Sequence, residues 1–261
     1  MNLSANRDTL LPMIRYDAKS KSSTKLYEKL KVLLDFATLP DELCLVIGGD
    51  GFLLGVITEL GQSYIYLGLN SGMLGFMLND VDDVDLIVEL VNRGAWREMS
   101  VPRLKMMALT QSGETLEGLA LNDVYLERMS GQTAHLRVEV DGVEVVDRVV
   151  CDGLIVATAL GSTAYSFSAG GPVCHPTLRH TQLTTISAHS PRLPPIVLPQ
   201  SAVVEIKAFD TEWRPVRVVT DGTDYTAVTR VKVENANSDV RLAFLEGHDP
   251  TAMLIRKMLR T

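Results

Sequence analysis

The most constraining feature of the chain is the segment Leu43–Leu54, LCLVIGGDGFLL, in which a strand-length apolar run stops at Gly-Gly-Asp-Gly and resumes as an apolar helix. A buried strand that ends in two glycines lets the backbone approach a ligand with no Cβ in the way. Asp50 follows at the carboxyl end of that strand, where open α/β sheets bind ligands, and the next helix begins with unpaired amides that suit phosphate. A carboxylate beside a phosphate cradle indicates phosphoryl transfer, although Gly and Asp also build ordinary strand-to-helix turns.

The composition argues against several classes of protein function. The chain has 261 residues, a formal net charge of −7 and a pI near 5.3, which argues against a nucleic-acid-binding protein because no basic stripe is available to neutralise phosphates. The apolar runs are too short for a transmembrane helix, and the first residues lack an apolar signal-peptide core. The three cysteines form no CxxC pair. We therefore expect a cytoplasmic protein with reduced thiols and neither a membrane nor a nucleic-acid partner.

Residues 1–98 alternate between helix and strand patterns, which predicts an α/β N-terminal domain with a Rossmann-like parallel sheet covered on both faces. The predicted elements are helices at Ser23–Phe36, Phe52–Leu60 and Val81–Asn92, with strands at Leu43–Ile47 and Tyr64–Leu69. Asp80 or Asp82 is expected to cap the third helix, and Gly94 lies just past its end.

From Arg103 onward short strands dominate, which predicts a β-rich, sandwich-like C-terminal domain over residues 99–245. An Asp-Gly at 141–142 between two alternating runs predicts a hairpin. The predicted strands are Leu104–Thr110, Leu116–Leu126, Leu136–Val140, Val143–Val149, Leu154–Thr158, Val203–Phe209, Val216–Thr220, Val228–Glu234 and Leu242–Leu245. A final helix, Thr251–Leu259, is expected to pack back on the first domain, so that residues 246–261 join residues 1–98.

Two more segments combine glycine or polar residues with a strand end. Gly68–Phe76, GLNSGMLGF, follows a predicted strand and is expected at the same sheet edge as the first turn. It has neither the Rossmann G-x-G-x-x-G spacing nor a P-loop pattern. Asn122 and Asp123 interrupt an apolar strand; an amide beside a carboxylate suits sugar hydroxyls, and a β-bulge or strand end remains the alternative.

The segment Cys151–Pro172, CDGLIVATALGSTAYSFSAGGP, is the densest in glycine and hydroxyl side chains. A strand leads into Gly-Ser-Thr, which can cap a short helix and offer hydroxyls and amides. Small residues such as Ala164 leave room for a flat base, against which Tyr165 can stack.

Taken together and in this order, the GGDG turn, the NSGMLGF loop, the Asn-acid pair and the DG…GSTAYSFSAGGP segment resemble the NAD kinase family. The resemblance runs from about Leu43 to about Pro199 and takes in Asp221. It implies an α/β domain followed by a β-rich domain, a cleft between them, and a homodimer or homotetramer. It also implies an enzyme that uses Mg²⁺ and ATP, or polyphosphate, to phosphorylate the adenosine ribose 2′-hydroxyl of NAD, giving NADP.

The resemblance also assigns site residues. Asp50 matches the family's catalytic aspartate, which orients the ribose hydroxyl and accepts its proton. Gly48, Gly49 and Gly51 match the turn that lines the donor phosphates. The remaining cofactor-binding matches are Asn122, Asp123, Asp152, Thr163, Ala164, Tyr165, Ser168, Asp221 and Thr223. No residue is assigned as a metal ligand.

The sequence departs from the family pattern at four places, which bear on donor choice and affinity more than on the reaction. They are Phe52 for a usual Thr, Ala159-Leu160 for Pro-Thr or Pro-Ser, Val150 where a basic residue is common, and Asp123 for Glu. Two alternatives stay open. One is a lipid or sugar kinase of the wider GGDG group, and the other is a non-catalytic dinucleotide sensor, which Phe52 and Leu160 would favour.

Overall fold

The computed structural model describes residues 10–72 and 75–258, without the side chains of Arg256 and Lys257. Residues 1–9, Met73 and Leu74 of the second glycine-rich loop, and Leu259 of the predicted last helix lie outside the described residues. The helices are α1 Lys21–Leu33, α2 Asp50–Leu60, α3 Val84–Asn92, α4 Tyr165–Ser168 and α5 Pro250–Met258. The strands are β1 Met13–Tyr16, β2 Leu43–Gly48, β3 Ile65–Asn70, β4 Trp96–Val101, β5 Leu104–Thr110, β6 Thr115–Ala120, β7 Asp123–Arg128, β8 Ala134–Val140, β9 Val143–Cys151, β10 Gly153–Thr158, β11 His180–Ile186, β12 Ile196–Pro199, β13 Val204–Ala208, β14 Val216–Thr220, β15 Thr223–Tyr225, β16 Val228–Asn235 and β17 Val240–Leu245. None of the helices in the described ranges is long and apolar enough to cross a membrane.

The chain divides into two compact units, residues 1–100 with 240–261, and residues 101–239. The sequence pattern predicts Leu242–Leu245 as a strand of the β-rich domain, whereas β17 lies in the sheet of the first unit. Its Leu242 pairs with Tyr66 of β3 in a parallel register. Leu242–Leu245 are all buried, as expected for a parallel strand covered on both faces, rather than alternating between core and solvent.

The first unit is an α/β domain around a five-stranded sheet with the order β1-β2-β3-β17-β4. Strands β1, β2, β3 and β17 pair in parallel, which confirms the predicted sheet. Leu43, Leu45 and Ile47 of β2 pack into one core with α1 and α3. On the opposite face Gly68 approaches Leu53 of α2. The helices therefore cover both faces, as the sequence indicates.

The first unit differs from the sequence prediction at one helix cap and at two strands, since neither β1 nor β4 is among the predicted strands. Strand β1 at Met13–Tyr16 has only four residues, too few for its pattern to be recognised. The N-cap of α3 is Asp83, whose carboxylate accepts hydrogen bonds from the amides of Asp85 and Leu86, and not Asp80 or Asp82. Three aspartates in four positions offer equivalent caps, and the backbone path alone selects among them.

The second unit is a sandwich of two six-stranded sheets, β12-β11-β10-β7-β14-β15 and β6-β5-β16-β13-β8-β9. Met106 and Ile206 from one sheet share a core with Val124 and Leu126 from the other. The predicted hairpin at residues 141–142 joins β8 to β9, with both turn residues at positive φ. The β-rich, sandwich-like domain is confirmed.

The predicted strand Leu116–Leu126 is two strands. Strand β6 ends at Ala120, and β7 begins at Asp123 in the other sheet. Leu121 and Asn122 carry the chain from one layer of the sandwich to the other. The polar pair at residues 122–123 thus marks a strand end, where backbone amides must find partners other than a neighbouring strand.

Candidate functional site

The Gly-Gly-Asp-Gly turn joins β2 to α2 in the first unit. Asp50 is the first residue of α2, and Gly49 precedes it as the N-cap. A Cβ built on Gly49 or Gly51 would meet no atom within 4 Å, so the backbone there is open to a ligand. The first amides of a helix have no partner within the helix and favour an anion. This geometry supports the predicted role of Gly49 and Gly51 beside the donor phosphates.

The Asp50 carboxylate is held by the second glycine-rich loop. The backbone amide of Phe76 donates to Oδ2 at 2.7 Å, and that of Met77 donates to Oδ1 at 3.1 Å. A Cβ on Gly75 would lie 3.2 Å from Oδ1 of Asp50 and 2.7 Å from Leu78. The two loops are therefore adjacent, as predicted, and the second fixes the direction of the carboxylate.

In the second unit Asp221 organises the turn at Asn122 and Asp123. Its carboxylate accepts hydrogen bonds from the amides of Leu121 at 2.5 Å, Asn122 at 3.0 Å and Asp123 at 3.4 Å. These are the amides that lose a strand partner where the chain changes sheets. Asp221 itself has a φ of 44°, in the left-handed region. The structure thus brings three predicted site residues together and gives Asp221 a positioning role.

The carbonyl side of the same turn is held by β10 and the residues after it. The Thr158 hydroxyl donates to the carbonyl oxygen of Leu121 at 2.7 Å, and the Thr158 amide donates to that of Asn122 at 2.9 Å. A Cβ on Gly161 would lie 2.0 Å from the Asn122 carbonyl oxygen, so only glycine fits there. The Asn122 backbone is therefore fixed from both sides.

Asp152 lies at the other end of β10, roughly 20 Å away along the strand at 3.3 Å per residue. Its Oδ1 accepts a hydrogen bond from Nε of Arg128 at 2.6 Å. The Arg128 guanidinium also donates to the carbonyl oxygen of Ser130 at 2.5 Å. Arg128 thus supplies a cation beside Asp152, although Val150 stands where a basic residue is common in the family.

The segment after β10 carries the other predicted pocket residues. The rings of Tyr165 and Tyr125 meet edge to face, with centroids 5.0 Å apart. Ser166 is buried and hydrogen-bonds to Gln182 and Thr184 of β11, which anchors α4. The predicted residues Thr163 and Ala164 are half-buried, whereas Ser168 and Thr223 are exposed.

Asp123 and Asp221 form an acidic pair in which Asp123 is buried and Asp221 is half-buried. Asp123 is only 5% exposed. Burial raises the pKa of Asp123 to about 7, and the charge of Asp221 adds to the rise. Burial also raises the pKa of Asp221 to about 6, although the three amides that it accepts oppose the change. Because the groups interact, their protons belong to the pair and not to one residue.

We expect Asp123→Asn to reduce the pH dependence of folding stability between about pH 4 and pH 7, with Asp221 supplying the part that remains. The pKa of Asp123 rises from 3.8 to about 7 on folding, so the folded state binds more protons and stability falls as the pH increases. Asn cannot ionise, and the variant should gain about 2 kcal/mol more relative to the parent at pH 8 than at pH 5. Urea unfolding at the two pH values measures the difference. The exposed Asp147→Asn serves as control, and equal pH slopes for parent and Asp123→Asn would contradict the expectation.

Comparison with known proteins supports the resemblance. Residues 121–244 match the family model of the ATP-NAD kinase C-terminal domain. The chain is 32% identical over 259 residues to an NAD kinase of Brucella suis biovar 1, an alignment that covers 97% of this chain and 99% of that protein. The chain belongs to the NAD kinase family. It is also 36% identical over 226 residues to an NAD kinase of Clostridium beijerinckii, covering 84% of this chain and 78% of that protein.

Solved structures of the NAD kinase family share the fold. Yeast NADH kinase, complexed with NADH, superposes with a TM-score of 0.84 at 20% identity, covering 97% of this chain and 88% of that one. An NAD kinase from Archaeoglobus fulgidus, in complex with ATP, superposes with a TM-score of 0.76 at 25% identity, covering 94% and 97%. The predicted fold class is therefore confirmed.

Some residues that shape the site carry no recognisable signal in the sequence of this NAD kinase family member. In the sequence pattern Thr158 looks like an ordinary strand residue. Its hydrogen bonds to residues 121 and 122 form only because β10 lies beside β7 in the sheet. Arg128 looks like a strand-terminal surface arginine. Phe76 and Met77 act through their backbone amides, which residue type does not reveal. Only Gly161 had a sequence cue, as a glycine following a strand.

Proposed function

We propose that the protein is an NAD kinase that phosphorylates the adenosine ribose 2′-hydroxyl of NAD, with ATP or polyphosphate as donor, and forms NADP. The observation that carries the proposal is the Asp50 carboxylate, held by two backbone amides beside an open glycine turn. A ribose hydroxyl is a weak nucleophile at neutral pH, and an oriented carboxylate can accept its proton. The alignment with an NAD kinase, at 32% identity over 97% of this chain, supports the choice of substrate.

In the proposed mechanism the 2′-hydroxyl attacks the terminal phosphorus of the donor in line with the leaving oxygen. Asp50 orients the hydroxyl and takes its proton as the new P–O bond forms. Gly49 and Gly51 expose backbone where the donor phosphates would lie. Asn122, fixed by Asp221 and Thr158, would hold the ribose and base of NAD. Positioning and charge stabilisation should account for most of the acceleration.

Magnesium is part of this proposal. Among residues 10–72 and 75–258, no three or more His, Cys, Asp or Glu side chains form a group that could hold a metal ion. Mg²⁺ commonly binds through one or two carboxylates together with substrate phosphates and water. The Asp50 carboxylate beside the glycine turn fits that donor set. When bound, the ion would neutralise charge on the transferred phosphoryl group.

The decisive experiment is an assay for NADP, coupled to an NADP-specific dehydrogenase, with the purified full chain and Mg²⁺. ATP and inorganic polyphosphate are compared as donors, NAD and NADH as acceptors, and a diacylglycerol is included as an alternative acceptor. NADP formation supports the proposal. Phosphorylation of the lipid alone would favour the wider GGDG kinases, and NAD binding with no product from either donor would favour a dinucleotide sensor. A homodimer or homotetramer, a cytoplasmic location and a place in NADP biosynthesis stay predictions.

A further inference from the structure

A cavity of about 500 Å³ lies beside α2 in the first unit, within the size range of small-molecule sites. Strand β1 forms one wall and α2 the other. The lining residues that matter here are Arg15, Tyr16, Gly51, Phe52, Gly55 and Glu59. No catalytic or NAD-binding role has been given to Gly55, Phe52 or the Arg15–Glu59 pair.

The cavity is continuous with the glycine turn. Gly51 belongs to the Gly-Gly-Asp-Gly sequence and also lines the cavity. The next residue, Phe52, packs against Gly48, where an added Cβ would lie 2.8 Å from the ring. Phe52 therefore covers the strand end and contributes to the cavity wall as well. A donor whose phosphates lie on the turn has this space beside it for its remaining atoms.

The α2 side of the cavity has free space because two of its lining residues are glycines. Gly51 and Gly55 lie four residues apart and so share one face of the helix. A Cβ on either residue would meet no atom within 4 Å. Glycine in a helix is less stable than alanine, and nothing in the packing around these two positions requires it. The consequence of the two glycines is space beside Phe52.

The charge of the cavity disfavours a polyanion. Arg15 forms an ion pair with Glu59, and these are the two charged side chains among the described lining residues. A chain of phosphates would gain no net attraction there. An aromatic ring, exposed backbone and a polar pair suit a nucleoside instead, since a base can stack on Phe52 while its polar edge or the ribose hydroxyls reach Arg15 and Glu59.

We propose that this cavity holds the base and ribose of a nucleoside triphosphate donor, with Phe52 and Gly55 as specificity-determining residues. The inference rests on the proposed function and deepens it, because it selects a nucleotide over polyphosphate as the donor. Phe52 then has a function of its own: it replaces the hydroxyl usual in the family with a stacking surface at the entrance to the nucleoside site.

The test is Gly55→Leu, which fills the cavity from an exposed helix position where the added Cβ has room. We expect the KM for ATP, and the Kd for a non-hydrolysable ATP analogue measured by calorimetry, to rise about tenfold or more as base stacking is lost. The KM for NAD and the Kd for inorganic tripolyphosphate should not change. The thermal midpoint should not fall, because leucine is a better helix former than glycine. Thr58→Leu, on the same helix and outside the cavity lining, is the matched control and should behave like the parent.

Two results would overturn the inference: an unchanged affinity of Gly55→Leu for the ATP analogue, or an equal loss of affinity for tripolyphosphate. If the parent forms no NADP with any donor, the proposed function fails, while analogue binding to parent and variant still decides whether the cavity is a nucleoside site. A parent that does not bind the analogue overturns the inference as well. Should Gly55→Leu not fold, Gly55→Ala provides the same comparison with a smaller side chain, and no change in analogue affinity again counts against the site.

Discussion

Asp50→Asn is expected to lower kcat for NADP formation by about a thousandfold or more, while the affinity for NAD stays within about twofold of the parent. The carboxylate is the proposed proton acceptor, and an amide cannot take that proton. The residues expected to hold NAD belong to the other structural unit, residues 101–239, so their local packing does not depend on Asp50. Steady-state kinetics and calorimetric titration with NAD measure the two quantities.

The substitution has a second consequence that the kinetics must separate from the first. Both carboxylate oxygens accept backbone amides, from Phe76 and Met77. Asn offers one oxygen, and its NH₂ group would face one of the two N–H groups, so the loop should lose a hydrogen bond and about 1 kcal/mol of stability. Gly75→Ala is the matched control, because its Cβ disturbs the same loop and leaves the carboxylate in place. We expect Gly75→Ala to lower kcat by about tenfold at most; a comparable loss in both variants would assign the effect to loop position and remove Asp50 as the base.

The parts of the fold that the sequence predicts are those that depend on local pattern. The buried run before Gly48, the helix after it and the hairpin at residues 141–142 follow from apolar periodicity and turn chemistry. Strand β17 has an equally clear apolar pattern, but its pattern does not say which sheet it joins. Which sheet β17 joins depends on the tertiary structure, because the chain re-enters the first unit only after the last strand of the sandwich. Pairing over about 175 residues of separation is set by tertiary packing and has no local signature.

Two Asp-Gly turns show why the candidate site is only partly predictable. Asp141-Gly142 and Asp221-Gly222 both join adjacent antiparallel strands, and in each turn both residues have positive φ. The Asp141 carboxylate accepts one amide, from Val203, whereas the Asp221 carboxylate accepts three amides from residues 121–123. By local sequence the turns are equivalent. Family resemblance identified Asp221, and the structure supplied its role as an anchor for the residues before β7.

The second large effect is expected for Asp221→Ala, which should raise the KM for NAD by about a hundredfold with a smaller change in kcat. The substitution removes the acceptor for three part-buried backbone amides, and leaving a buried amide unsatisfied costs about 1–3 kcal/mol. The turn should then relax and release Asn122 from its orientation. A loss of NAD binding worth about 2.7 kcal/mol corresponds to the hundredfold change. Steady-state kinetics with varied NAD, beside a urea unfolding curve for each variant, measures both effects.

A double-substitution cycle distinguishes positioning from direct contact with NAD. Thr158→Val removes the hydroxyl that holds the same turn through the Leu121 carbonyl oxygen. If Asp221 acts through the turn, Asp221→Ala already releases the turn, and adding Thr158→Val should have little further effect. The free-energy effect of the double substitution on the KM for NAD should then be smaller than the sum of the two single effects. If Asp221 instead touches NAD directly, the effects are independent and add. Additivity within about 0.5 kcal/mol would therefore reject the positioning role, whereas a coupling energy of about 1 kcal/mol or more identifies residues 121–123 as the element through which Asp221 and Thr158 both act.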